Sequence, residues 1–202
     1  MKQAWLGLIG LLERHIRLLA HVGALLPLAL LVFDALLGNL TVNPIQDATL
    51  RTGKAALVLL ILSLACTPVS KWLGFRAALK VRRALGLYAF LYASIHFFIF
   101  AVLDYGLNLE YLARALLEKR FALAGLAAGL LLLALAVTSF KYWQRRLGKN
   151  WKRLHRLAYL AGLLAVVHYA WLVKSDLREP LAWGAGLAVL LAARLVKRRL
   201  LY

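Results

Sequence analysis

The sequence predicts an all-α integral membrane bundle of six transmembrane helices, on three observations. The 202 residues are 63% hydrophobic and 17% charged, too apolar for a soluble domain of this size, which must cover its core with polar surface. The apolar residues fall in runs close to the length that crosses a hydrocarbon layer. The 26 Lys and Arg residues, against 8 Asp and Glu, gather at the ends of those runs. In a soluble chain a formal charge of +18 suggests nucleic acid. Here the basic clusters are taken up by orientation and by anionic lipid headgroups, so membrane lipid is the expected partner and nucleic acid is not.

The predicted spans are, in order, Leu18 to Leu37, Lys54 to Val69, Leu85 to Leu103, Phe121 to Phe140, Leu154 to Val173 and Leu181 to Val196. The second is the shortest, and Pro68 should stop or kink it. Lys2 precedes Glu13, Arg14 and Arg17 ahead of the first apolar stretch, with no small-residue cleavage signal after it. That stretch reads as a retained helix rather than a signal peptide. No repeat or linker is apparent, and every loop is too short for a soluble domain, so residues 1–202 form one domain.

Loop charges fix the expected orientation. Lys71, Arg76, Lys80, Arg82 and Arg83 lie between the second and third spans without an acid. Lys141, Arg145, Arg146, Lys149, Lys152 and Arg153 do the same between the fourth and fifth, and the tail adds Lys197, Arg198 and Arg199. The alternate loops are sparse or mixed: Asp47 and Arg51, then Asp104, Glu110, Arg114, Glu118, Lys119 and Arg120, then Lys174, Asp176, Arg178 and Glu179. The positive-inside rule places both termini in the cytoplasm.

Cys66 is the single cysteine, which excludes intrachain disulfides and leaves redox chemistry to a cofactor. Ionisable residues inside spans are therefore the functional candidates. His96 lies in the third span and His168 in the fifth. At about 1.5 Å per residue they sit roughly 17 Å and 21 Å from the cytoplasmic starts of two helices that run the same way. Two imidazoles at matching depth can give haem iron both axial nitrogens; the bland reading of either one alone is an interhelical hydrogen bond.

His155 lies roughly 20 Å below His168 along the helix, though thirteen steps turn the two side chains about 140° apart. Its counterparts on the third span are Arg82 and Arg83, poor iron ligands that can hold a haem propionate. For His155 an interfacial or propionate role stands beside iron ligation. His21 is an alternative inner ligand, and His15 is expected to be solvated. Asp34 is a candidate proton relay or headgroup contact. Thr67, Ser63, Thr138 and Ser139 read as helix-packing hydroxyls, and the six tryptophans as an interfacial belt.

At these residues the chain resembles a known family, the haem-binding membrane subunit of the bacterial periplasmic methionine sulfoxide reductase system, within the ferric reductase-like and NADPH oxidase-like transmembrane group. The matching stretches begin with Asn43-Pro44-Ile45, Arg51-Thr52-Gly53, Thr67-Pro68 and Arg82-Arg83-Ala84-Leu85-Gly86-Leu87 leading to His96. They continue with Lys119-Arg120-Phe121, Leu135 to Ser139, Leu147-Gly148-Lys149-Asn150-Trp151, Leu154-His155-Arg156, and His168-Tyr169-Ala170-Trp171 with Lys174. The resemblance implies one or two b-type haems, with His96 and His168 on one and His155 at a second or inner position, and FMN. It implies electrons from the quinone pool or a cytosolic flavin reductase, passed across the bacterial inner membrane. The acceptor it implies is a periplasmic molybdopterin-containing methionine sulfoxide reductase, the catalytic subunit that repairs oxidised periplasmic proteins. The wider group has a fourth histidine and a fused nucleotide-binding domain; both are missing here, so NADPH oxidation is not expected. A stand-alone ferric reductase and a non-redox transporter or channel are the competing readings, the latter weakened by the scarcity of polar or broken helices at the midplane.

Overall fold

The computed structural model describes residues 2–173 and 176–195, and the side chains of 14–173 and 176–194. Lys174, Val196 and the tail cations Lys197, Arg198 and Arg199 lie outside that set. All regular structure among the described residues is helical: α1 Lys2–Leu36, α2 Pro44–Trp72, α3 Ala78–Phe98 with a π-helical continuation Ile99–Asp104, α4 Leu109–Glu118, α5 Arg120–Val137, α6 Lys141–Leu147, α7 Lys149–Leu154, α8 Leu157–Val173 and α9 Arg178–Leu195. Five stretches are long and apolar enough to cross a membrane: Arg14–Leu36, Pro44–Trp72, Ala78–Asp104, Arg120–Val137 and Lys149–Val173. The segment predicted as the sixth span is helical, as α9, but it is not among these five, and its 18 residues include Arg178, Glu179 and Arg194.

Three elements differ from expectation. The second helix is long, not short, because Asn43 caps it by accepting from the Gln46 N–H at 3.1 Å and Pro44 sits at its first position, where a missing N–H costs nothing. Asp47 and Arg51 thus belong to α2 rather than to a loop. The fifth span is interrupted: His155 closes α7 through its backbone N–H to the Trp151 carbonyl, and a turn at His155 and Arg156 precedes α8. The thirteen-residue angle between His155 and His168 therefore does not apply, since it assumes one unbroken helix. Between the third and fourth spans, α4 adds a short helix capped by Asn108, with Leu112 and Ala115 turned inward.

The core runs along α2 and α3, the most extensively packed pair. Leu59, Leu60 and Leu64 meet Val81, Leu85, Ala89 and Tyr92, with Leu132 and Leu135 of α5, Ala161 of α8 and Leu187 of α9 closing the cluster. Helix α1 lies at the edge, joined by a device that its proline requires. Pro27 disturbs the ladder of α1, and the fully buried Tyr92 hydroxyl enters the gap. It donates to the Ala24 carbonyl at 2.7 Å and accepts the Leu28 N–H at 2.9 Å. Both backbone groups are thus satisfied where lipid offers no alternative.

Candidate functional site

His96 and His168 come together between four helices. Their ring centroids are 6.0 Å apart and the ring planes stand at 89°. His96 Nδ1 donates to the Thr49 carbonyl of α2 at 2.8 Å, and His168 Nδ1 donates to the Phe121 carbonyl of α5 at 2.7 Å. A carbonyl can only accept, so each Nδ1 carries the proton and each Nε2 is left with its lone pair. This is the outer-shell arrangement that fixes ring orientation and raises ligand basicity at metal-bound histidines.

Room for the rings comes from glycine. A Cβ on Gly53 would stand 2.9 Å from His96 Nδ1, and one on Gly125 would stand 2.7 Å from His168 Nδ1. Glycine is required at both positions because any side chain would occupy the volume of an imidazole.

The two halves of the site are built to one plan. Each histidine bonds a carbonyl 47 residues earlier in the chain, and the glycine stands four residues after that carbonyl in both cases, at Gly53 after Thr49 and Gly125 after Phe121. The α2–α3 and α5–α8 pairs thus repeat each other at the site, contrary to the sequence reading of no repeat. Few residues are shared at equivalent positions, which is why the repeat is invisible in composition. The carbonyls and glycines escaped the sequence reading as well; the equal Gly53-to-His96 and Gly125-to-His168 spacing was the signal that could have found them.

These residues fit haem iron. Two metal–imidazole bonds of about 2 Å, with the ring radii, bring a pair of centroids to about 6 Å, the separation the structure has. The chain turns π-helical at Ile99, three residues after His96, an irregularity that is frequent at functional positions.

The other predicted residues are placed differently. His155 is half-buried, stacked on Trp151 with centroids 4.1 Å apart, and its Nε2 lies 3.1 Å from Thr138 Oγ1. Thr138 also donates to the Ala134 carbonyl at 2.7 Å, so its hydroxyl accepts from the imidazole. Arg82 lies within Coulombic range of His155, while the exposed Arg83 turns over the Phe140 ring at 5.6 Å. No second imidazole faces His155 among the described residues. His21 is exposed and bonded to the Tyr88 hydroxyl at 2.9 Å, and His15 is exposed. Asp34 pairs with Arg51, which also holds Asp47 at 3.0 Å, so it is an ion-pair partner joining α1 to α2. Near the histidine pair, Glu179 of α9 accepts from Lys54 at 2.5 Å and from the Tyr169 hydroxyl at 2.7 Å, tying the last helix to the neighbours of Gly53 and His168.

Comparison with known proteins follows the same residues. The family model described as ferric reductase like transmembrane component matches residues 52–166. A Xanthomonas axonopodis pv. citri protein named protein-methionine-sulfoxide reductase heme-binding subunit MsrQ is 43% identical over 186 residues, covering 89% of this chain and 85% of its own length. A protein of the same name from Deinococcus radiodurans is 47% identical over 175 residues, 86% of each chain. No solved structure matches. Multi-pass apolar helices, a paired intramembrane histidine site and relatives that align across nearly the whole length agree, and the chain belongs to the ferric reductase-like transmembrane family, among its MsrQ haem-binding subunits.

Proposed function

We propose that this chain is a haem b electron-transfer subunit of the membrane, with iron held between His96 and His168. The observation that carries the reading is the His96–His168 pair, each ring locked by a backbone carbonyl with its Nε2 free and the centroids 6.0 Å apart. Haem bound there supplies an iron that takes up and releases one electron at a time. The chain's own contribution is to hold both rings through the Thr49 and Phe121 carbonyls, to keep the site clear at Gly53 and Gly125, and to exclude water with the surrounding helices.

Six spans with both termini in the cytoplasm follow from the charges when α9 is taken as the last crossing. The α2–α3 and α5–α7 connections carry basic residues without an acid, whereas the acids from Asp34 to Glu179 lie at the other end. The His96–His168 pair is then nearer the periplasm, and His155 with Arg82 nearer the cytoplasm. Cysteine labelling should find position 76 reactive only from the cytoplasm and position 110 only from outside. Reversed reactivity at position 110 would remove the directional part of the reading.

Electrons are proposed to enter at the His155–Arg82 end, from quinone or a cytosolic flavin reductase. They leave at the periplasmic face toward a molybdopterin-containing methionine sulfoxide reductase, for repair of oxidised periplasmic proteins. The names of the relatives support the partner; donor, acceptor, the FMN and the inner membrane location follow from the family resemblance. For a second haem at His155, the supporting feature is the nearby Arg82, which can hold a propionate. His155→Ala should slow reduction from the cytoplasmic side while leaving the outer haem spectrum intact, read by stopped-flow absorbance. Unchanged rates and haem content would make His155 a packing residue against Trp151 and Thr138.

The function is tested on the purified wild-type chain by reduced-minus-oxidised absorption and pyridine haemochrome stoichiometry. A b-type spectrum with at least one haem per chain is expected. A haem-free protein, after expression with ample haem supply, would overturn the reading in favour of a transporter or channel.

A further inference from the structure

Two arginines, Arg82 and Arg194, stand near one stretch of α2 at the basic end of the bundle, with no carboxylate beside them among the described side chains. Pro68 has no N–H to give, so the Leu64 carbonyl one turn earlier loses its helical donor. Arg194 of α9 reaches across and donates to it from Nη2 at 2.7 Å, with its guanidinium 4.8 Å from the Tyr159 ring centroid. On the same turn of α2, Ser63 Oγ donates to the backbone carbonyl of Arg82 at 2.8 Å. The backbone of Arg82 on α3 and the guanidinium of Arg194 on α9 therefore reach Ser63 and Leu64 from two neighbouring helices, and both arginines are half-buried.

Nothing described in the chain balances these charges. Neither guanidinium has an ion pair among the described residues. Arg194 Nε and Thr67 Oγ1 are buried there without a hydrogen-bond partner. Every Asp and Glu whose side chain is described lies at the opposite end of the bundle.

Depth sharpens the point. Trp72 Nε1 donates to the Ala193 carbonyl at 2.9 Å, and an indole at a helix end marks the interface. Leu64 lies eight residues earlier on α2, roughly 12 Å further into the bundle along the helix. A terminal arginine ordinarily snorkels outward to water. Arg194 is turned inward, where an unbalanced cation is expensive.

We propose that Arg82, Arg194 and the Thr67 hydroxyl form a binding site for a phosphate group, brought by an anionic phospholipid of the cytoplasmic leaflet. Guanidinium forks match phosphate oxygens in pairs, and the free Nε and hydroxyl supply the remaining donors. Basic pockets between transmembrane helices on this side are suited to anionic headgroups. The proposal rests on the reading above only for which leaflet is involved; it stands apart from haem at His96 and His168, and it holds for a chain in which Arg82 is not taken by the propionate of a second haem at His155.

The test uses the full chain in mild detergent, delipidated and titrated with phosphatidylglycerol, with native mass spectrometry as the readout. Wild type should retain one phosphatidylglycerol per chain. Arg194→Gln keeps an N–H donor for the Leu64 carbonyl while removing the charge, and should need about tenfold more lipid for the same occupancy. Thr67→Val, a near-isosteric change, should weaken retention less; should Arg194→Gln fail to fold, a loss in Thr67→Val supports the site and full retention overturns it. If glycerol 3-phosphate displaces the lipid at comparable concentration, the phosphate site stands and its ligand is a soluble ester. Equal retention by wild type and both variants overturns the site. Loss of haem absorbance from Arg194→Gln with lipid retention unchanged overturns the phosphate assignment and gives the arginines to a porphyrin carboxylate instead.

Discussion

Alanine at either His96 or His168 is expected to abolish the low-spin haem spectrum, and the two variants should look alike. In the proposed site each imidazole would supply one nitrogen to the iron, and iron left with one of them would lose the strong field that defines the low-spin state. Haem retention should fall by about tenfold or more, since losing even about 1.4 kcal/mol of binding has that effect. The loss is separable from misfolding. His96→Gly leaves a hole the shape of the missing ring beside the Thr49 carbonyl, and imidazole added to the solution should restore the low-spin bands. Full retention of the wild-type spectrum in either alanine variant would sink the assignment.

An effect nearly as large is expected without touching a histidine. In Gly125→Ala the new methyl would stand 2.7 Å from His168 Nδ1 and 2.8 Å from Cε1, and the ring cannot retreat while Nδ1 is bonded to the Phe121 carbonyl at 2.7 Å. Either that bond breaks or the helices part, at a cost of about 1–3 kcal/mol, and the imidazole swings away from the iron axis. Gly53→Ala should act the same way on His96, more mildly, because its clearance is 2.9 Å. The control lies one turn along the same helix: a methyl on Gly129 would have nothing within 4 Å, so Gly129→Ala should keep full haem content and slightly strengthen α5. Equal haem content in Gly125→Ala and Gly129→Ala would show that the close approach at His168 does not matter for binding.

Much of the fold was legible because bilayer physics is coarse. A run of apolar residues with basic ends announces a span whatever its packing, and the depth of His96 and His168 could be counted along helices of fixed rise. What escaped was set by hydrogen bonds between distant residues. Asn43 and Pro44 extend α2 well before its apolar stretch begins. The break at His155 depends on a turn amid residues that are all acceptable in a helix. The Tyr92 hydroxyl in the gap of α1 and Arg194 at the Leu64 carbonyl both repair proline-disturbed ladders, and a sequence shows the proline without showing which side chain answers it. The carbonyls of Thr49 and Phe121 are features of the backbone, with no residue type to betray them.

The right angle between the two imidazole planes carries a magnetic consequence. Axial rings lying parallel would donate to the same iron d orbital and lift it away from its partner. With iron held between them, rings at 89° would donate to the two orbitals equally and leave them close in energy, so the unpaired electron of the ferric state would keep a large orbital moment. Electron paramagnetic resonance at liquid-helium temperature should then show a highly anisotropic low-spin signal with one extreme g value. A well-resolved rhombic spectrum would mean that the rings rotate toward a common plane when iron is bound.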